Sequence, residues 1–313
     1  YMKRVVDYIL AQNAHLVLDA DRFYPIGGIN PRPPLFSWSL AIGAMILQPF
    51  LGEDAVWWSM LALPAIYGAL TILPVAAIAR DHFGKAAGVI AAWLIAFMPA
   101  HVTHSTWGLA DHDSFVMLFI AIGFMFYLRA VKYAGSERLV RTTSIRPLDM
   151  LRAIGAVAQE RQYAMANAVL AGVAFGTASL GWKGFVVGPA ILFLAYAAQV
   201  ALNMFRRRDS TILSTLFLTM LLTNLLIALP FYAHPQMNLM LDGSGLQPFL
   251  FILLFSIVIM YITTGFRDKP WLLVLGTLAA GAVAFLGALW ILQYFNLSNA
   301  WDVLFTGGGY FTK

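Results

Sequence analysis

Apolar residues along this chain come in runs of about twenty, separated by short polar turns. Runs of that length suit helices crossing a bilayer, whose hydrocarbon core is about 30 Å thick. They cover roughly 56–79, 86–102, 114–131, 164–181, 185–205, 211–232, 247–266 and 270–292. Several are broken only by a charged turn, such as RDHFGK at 80–85 or RRRD at 206–209. The pattern predicts an all-α polytopic membrane protein with about eight spans. One further apolar run, Leu35 to Leu47, has thirteen residues. It is too short to cross with ease and predicts an interfacial or re-entrant helix. Ahead of it, YPIGGINPRPP (24–34) holds too much proline and glycine for a helix. The predicted organisation is a structured external loop with an interfacial helix over 1–55 and a helical bundle over 56–292. Residues 293–313 then begin another external loop, which is cut short.

Composition agrees with that class. Hydrophobic residues make up 60% of the 313 and charged ones 11%, against about a quarter charged in a soluble domain. Mean hydropathy is +0.75. With no cysteine, disulfides and thiolate metal sites are excluded. The net charge of +5 does not indicate nucleic acid, because Lys and Arg of membrane proteins gather in cytoplasmic loops. Placing 80–85, 129–163, 206–208 and 267–269 inside puts fourteen of the twenty Lys and Arg there. The alternation holds only if 35–50 does not cross. Then 1–55, 103–113, 182–184, 233–246 and 293–313 share the outer face. The arginine-rich connection 132–163 reads as an amphipathic helix lying near anionic lipid.

Against this background one polar cluster stands out. HVTHSTWGLADHD (101–113) holds three of the six histidines beside two acids, at the mouth of a span. Alternate residues of an extended loop point the same way, so Asp111 and Asp113 can converge on one ligand. Two hard oxygen donors suit Mg²⁺ or Mn²⁺ more than Zn²⁺. A third acidic donor from a distant loop is needed for a tight site. Zinc ligation by His101 and His104 at i, i+3 is a second reading. A third is a solvated loop in which Asp113 caps the following helix.

The residues also carry a resemblance. HSTWG followed by GLADHDSF resembles the second acidic motif of the oligosaccharyltransferase catalytic subunits, the STT3/AglB/PglB family, in particular its archaeal branch. The opening YMKRVVDYIL…LDADRFYPIGGINPRPPLFSW is similar to that family's first external loop. LGWKGFVVGPAI (180–191) resembles its Trp-Gly turn between two spans. The resemblance covers essentially the whole chain, and it implies a GT-C-type helical bundle.

It further implies that Asp111 and Asp113 are catalytic and bind the metal, Mn²⁺ or Mg²⁺, with His112 joining its shell. Trp182 and Lys183 match the loop near the lipid-linked donor. His104 lies where bacterial members place an arginine near the site. Trp107, within the motif, joins the substrate-binding candidates, and basic groups such as Lys183 or Arg4 hold the phosphate by charge. The implied reaction moves an oligosaccharide from a polyprenyl phosphate or pyrophosphate carrier to the asparagine of Asn-X-Ser/Thr in an acceptor polypeptide. The implied setting is an archaeal plasma membrane with the active site on its outer face.

The family's first catalytic Asp is expected just before Tyr1. Its acceptor-holding Glu is expected after Lys313, followed by a soluble Trp-Trp-Asp domain. The fragment alone is therefore expected to be inactive. Three other readings compete. Other lipid-carrier-dependent glycosyltransferases of the same fold class place their acids in the first external loop. A secondary transporter places charges near the bilayer midplane, where these spans hold almost none. A non-catalytic scaffold is the last.

Overall fold

A computed structural model describes residues 1–135, 147–234, 246–265 and 271–294. The order is α1 (Met2–Gln12), β1 (Leu18–Asp19), β2 (Gly28–Ile29), α2 (Leu35–Leu51), α3 (Ala55–Phe83), α4 (Lys85–Phe97), α5 (Pro99–His104) and α6 (Asp113–Ala134). Then come α7 (Pro147–Glu160), α8 (Gln162–Ser179), α9 (Val187–Phe205), α10 (Thr211–Tyr232), α11 (Leu246–Gly265) and α12 (Trp271–Tyr294). The all-α class is as expected, with one small antiparallel ladder pairing Leu18 with Ile29 and Asp19 with Gly28.

Five stretches among the described residues are long and apolar enough to cross a membrane, against the eight expected. They are Leu35–Phe83 taken as one run, Asp113–Ala134, Lys183–Phe205, Thr211–Tyr232 and Leu246–Thr263. Each expected span still coincides with a helix or a helix pair. The shortfall has a physical reason at α4, whose thirteen residues rise only about 20 Å. Met98 adopts an extended conformation before Pro99, the conformation that a following proline favours, and divides α4 from α5. The two together retrace α3. Gly88 sits against Arg80 and Ala76 at one end, and His101 and Ser105 sit against Gly68 at the other. Loop 132–163 contains α7, while 136–146 lies outside the described residues. So does 295–313, and with it nearly all of the expected terminal loop.

The described residues form two compact units, and α6, α8 and α10 contribute to both. The first takes 1–128, 171–185 and 224–234. Within it α1 is amphipathic and buries Met2, Val5, Val6 and Ile9, the spacing of one helical face. The buried Asp19 carboxylate pairs with the Arg4 guanidinium, which also reaches Asp21 at 3.2 Å. Buried Asn30 donates from its side chain to the Leu16 carbonyl at 2.9 Å. Burial of His15, edge-on to Phe231, lowers its imidazole pKa, with the Arg32 backbone opposing. The loop closes where the Leu35 amide donates to the Leu180 carbonyl at 2.8 Å.

α2 meets α3 near the start of the latter. Ser59 donates to the Leu40 carbonyl at 2.6 Å, and a side chain at Gly43 would meet Ser59 and Leu63. Small residues let α8 approach its neighbours closely, as packing of membrane helices requires. Ala171, Ala174 and Ala178 are buried, Gly176 faces Ile227, and Gly181 faces Phe115. The Tyr232 hydroxyl donates to the Ser179 carbonyl at 3.0 Å.

The second unit takes 129–135, 147–170, 186–223, 246–265 and 271–294. Ala130, Ala134, Ala164, Ala168 and Leu216 form a tight cluster. Tyr196 stacks on Phe217 at 4.6 Å and shares a 2.9 Å hydrogen bond with Ser214. Phe255 lies between Phe193 and Phe285.

Candidate metal and phosphate site

The acidic loop between α5 and α6 is held from three directions. First, α5 is pinned to α3 by a 3.1 Å hydrogen bond between His101 Nε2 and the Gly68 carbonyl. Second, the Gly108 amide donates to the Leu61 carbonyl at 3.2 Å. Gly108 has φ +93°, a conformation that suits glycine. Third, Phe115, one turn into α6, packs against Phe36, Tyr67 and Phe119.

Held this way, Asp111, His112 and Asp113 form the one cluster of three or more His or acidic side chains fit for an ion among the described residues. One ligand atom from each lies within 4.8 Å of the others. The His112 amide donates to Asp111 Oδ1 at 2.7 Å, and His112 Nδ1 lies 2.6 Å from the same oxygen. A carboxylate on Nδ1 keeps the proton there and leaves Nε2 as the lone-pair nitrogen. Nε2 stands 3.8 Å from Asp113 Oδ1. That is too long for a hydrogen bond, but two ligands flanking an ion at about 2.1 Å each lie apart by a similar distance. The other oxygen, Asp113 Oδ2, is 2.6 Å from His104 Nδ1. The donor set thus fits a divalent cation, offering two carboxylates and one imidazole.

His112 is also the wall of a groove. Its ring meets Phe36 edge-on at 6.4 Å and lies 6.2 Å from the Trp182 ring. Arg32, Pro33 and Lys183 also line it. Lys183 begins a short 3₁₀ turn, Lys183–Val186. A Cβ at Gly184 would lie 2.3 Å from the Trp182 indole, so glycine there lets the ring sit where it does.

The sequence candidates therefore separate. Asp111, His112, Asp113 and His104 come together, and Trp182 and Lys183 join them across the groove. Arg4 does not line it, because its guanidinium is held by Asp19 and Asp21 and lies over the Tyr1 ring. Trp107 packs edge-on against Trp58 at 5.8 Å, on the α3 side. His101 faces the Gly68 carbonyl, so it shares no ion with His104. Sequence reasoning missed Arg32 and Phe36. Arg32 lies 5.0 Å from the Tyr1 ring, whose phenol pKa is raised by burial against the pull of neighbouring arginines. A cation inside PRPP was the available signal. Its proximity to Lys183, 151 positions away, depends on the Leu35–Leu180 closure.

Comparison with known proteins supports a specific family. The sequence profile described as "Oligosaccharyl transferase STT3, N-terminal" matches residues 1–276. A dolichyl-phosphooligosaccharide-protein glycotransferase 3 of Archaeoglobus fulgidus is 30% identical over 237 residues, 74% of this chain and 25% of its own. The fold is similar to that of the archaeal oligosaccharyltransferase AglB from A. fulgidus, solved with an inhibitory peptide and a dolichol-phosphate. That match has a TM-score of 0.74 at 21% identity and covers 97% of this chain and 34% of the other. An A. fulgidus oligosaccharyltransferase in complex with Zn and sulfate gives a TM-score of 0.67 at 23% identity, over 96% and 36%. The chain spans about a quarter to a third of the length of these proteins. It belongs, by the extent of the profile match, to the oligosaccharyl transferase STT3 family and corresponds to its N-terminal region.

Proposed function

We propose that this chain is the membrane part of an enzyme that transfers an oligosaccharide from a polyprenyl phosphate or pyrophosphate carrier to asparagine in an Asn-X-Ser/Thr acceptor. The observation that carries this reading is the junction of two sites. His112 belongs both to the cluster with Asp111 and Asp113 and to a groove that Arg32, Lys183 and Trp182 also line. Carboxylates gather a cation, and two basic side chains gather a phosphate. The related proteins solved with a dolichol-phosphate and with Zn and sulfate agree with both halves.

Asp111, Asp113 and His112 Nε2 are the groups that would hold the cation. Bound there, it would act as a Lewis acid toward the departing phosphate oxygen. Of the two ions expected, Mn²⁺ fits the imidazole better than Mg²⁺, which favours oxygen. Arg32 and Lys183 hold the phosphate by charge. Trp182, Phe36 and Pro33 give the first carrier carbons an apolar wall. A lipid-anchored donor must react where bilayer meets water, and the groove sits beside the head of α6, at the mouth of a span. On this reading the loop faces the outside of an archaeal plasma membrane.

The test uses the full-length protein, a lipid-linked oligosaccharide and an acceptor peptide with an Asn-X-Thr site. Asp111→Asn is expected to lower turnover by at least about 100-fold while the thermal melt stays unchanged. Wild-type turnover with that variant would remove Asp111 from the mechanism.

A further inference from the structure

We propose that His104 is a positioning residue that fixes which oxygen Asp113 offers to the divalent cation. This rests on the reading of residues 111–113 as a cation site. The Asp113 carboxylate has two equivalent oxygens and a broad, two-fold torsion about its last bond. Left alone, it can present either oxygen or both. In the structure the two are distinguished. Oδ2 receives His104 Nδ1 at 2.6 Å, and Oδ1 turns toward His112 Nε2 at 3.8 Å. His104 thus occupies one oxygen and leaves the other for the ion. Asp111 does the corresponding service for His112 by holding Nδ1 and leaving Nε2. Ligands oriented by such outer contacts bind metal more tightly, typically by 10- to 100-fold.

The placement of His104 follows from α5. His101 anchors that helix to the Gly68 carbonyl. Three residues on, His104 lies one turn further along nearly the same face, about 60° round, where it meets Asp113 at the head of α6. Its side chain is 59% exposed and that of Asp113 35%. A pair so exposed contributes little to folding, and α5 has its own anchor. The contact can therefore be removed without unfolding the loop, which makes its effect on cation binding separable from stability.

The experiment measures Mn²⁺ binding to the full-length protein by the spin-resonance signal of free Mn²⁺, alongside a thermal melt. His104→Ala is expected to weaken binding about 10- to 100-fold with an unchanged melt. His104→Asn places an amide nitrogen where Nδ1 stood and is expected to stay within about threefold of wild type. His104→Gln places its nitrogen at the Nε2 position and is expected to behave like alanine. Unchanged affinity in His104→Ala, with binding lost in Asp111→Asn, overturns the positioning role and leaves the cation site standing. Equal losses in His104→Ala and His104→Asn also overturn it, since the ring would then act otherwise than through Nδ1. If Asp111→Asn binds Mn²⁺ as wild type does, the cation site itself falls and the proposal with it.

Discussion

Two arginines twenty-eight positions apart show how residue type alone leaves a role undecided. Arg4 and Arg32 flank the same Tyr1 ring, at 5.7 and 5.0 Å. Arg4 is bound to the buried Asp19 and to Asp21 and secures α1 to the small ladder. Arg32 lines the groove with Lys183. Their substitutions should therefore separate. Arg32→Gln is expected to raise KM for the lipid-linked donor about tenfold, the value of one charge-assisted contact, with little change in melting temperature. Arg4→Gln leaves the Asp19 carboxylate buried without its partner and is expected to lower the melting temperature first. Donor-dependent kinetics and thermal melts on the two variants check the pair, and identical profiles would undo the distinction.

At the scale of elements, the acidic loop depends on how closely α5 approaches α3. Gly68 is the point of contact. A Cβ there would lie 2.3 Å from Ser105 Cβ and 2.6 Å from its Oγ. Ser105 Cβ is attached directly to the backbone, so relief requires α5 itself to move. Gly68→Ala is expected to cost about 1–3 kcal/mol and to weaken Mn²⁺ binding, because the loop shifts with α5. The double variant Gly68→Ala with Ser105→Gly removes the colliding atoms and should recover most of both losses. No recovery in the double variant would show that the glycine serves some need other than this approach.

For the whole molecule, the open matter is which side each loop occupies. α2 has seventeen residues, long enough to rise about 25 Å, and it meets α3 at Leu40–Ser59, Gly43–Leu63 and Ser39–Tyr67. α4 and α5 retrace α3 from Arg80 to Gly68. With α3 crossing, this retracing puts the turn at Glu53 on the same side as the acidic loop, and α2 is expected to lie at that interface. The cysteine-free sequence allows a direct test. Cysteines replacing exposed Tyr24, Glu53 and Thr106 are all expected to react with an impermeant thiol reagent on intact cells. One replacing Lys85 is expected to react only after permeabilisation. Labelling of Tyr24→Cys and Glu53→Cys from opposite sides would mean that α2 crosses.

What the sequence determined by itself follows from local physics. The apolar runs specify helices because a backbone in lipid must satisfy its own hydrogen bonds, and each expected span does hold a helix or a helix pair. The acidic cluster was legible because Asp111, His112 and Asp113 are adjacent, so chain geometry alone keeps them together. Long-range closure was not legible. The hydrogen bond from Leu35 to Leu180 brings Arg32 and Phe36 to Lys183 and Trp182, and no local pattern encodes a contact between segments that far apart. The resemblance likewise pointed to Arg4 as a phosphate ligand and passed over Arg32. Only the tertiary structure separates them, because a charge is available to a ligand when its neighbours in space, rather than along the chain, leave it so.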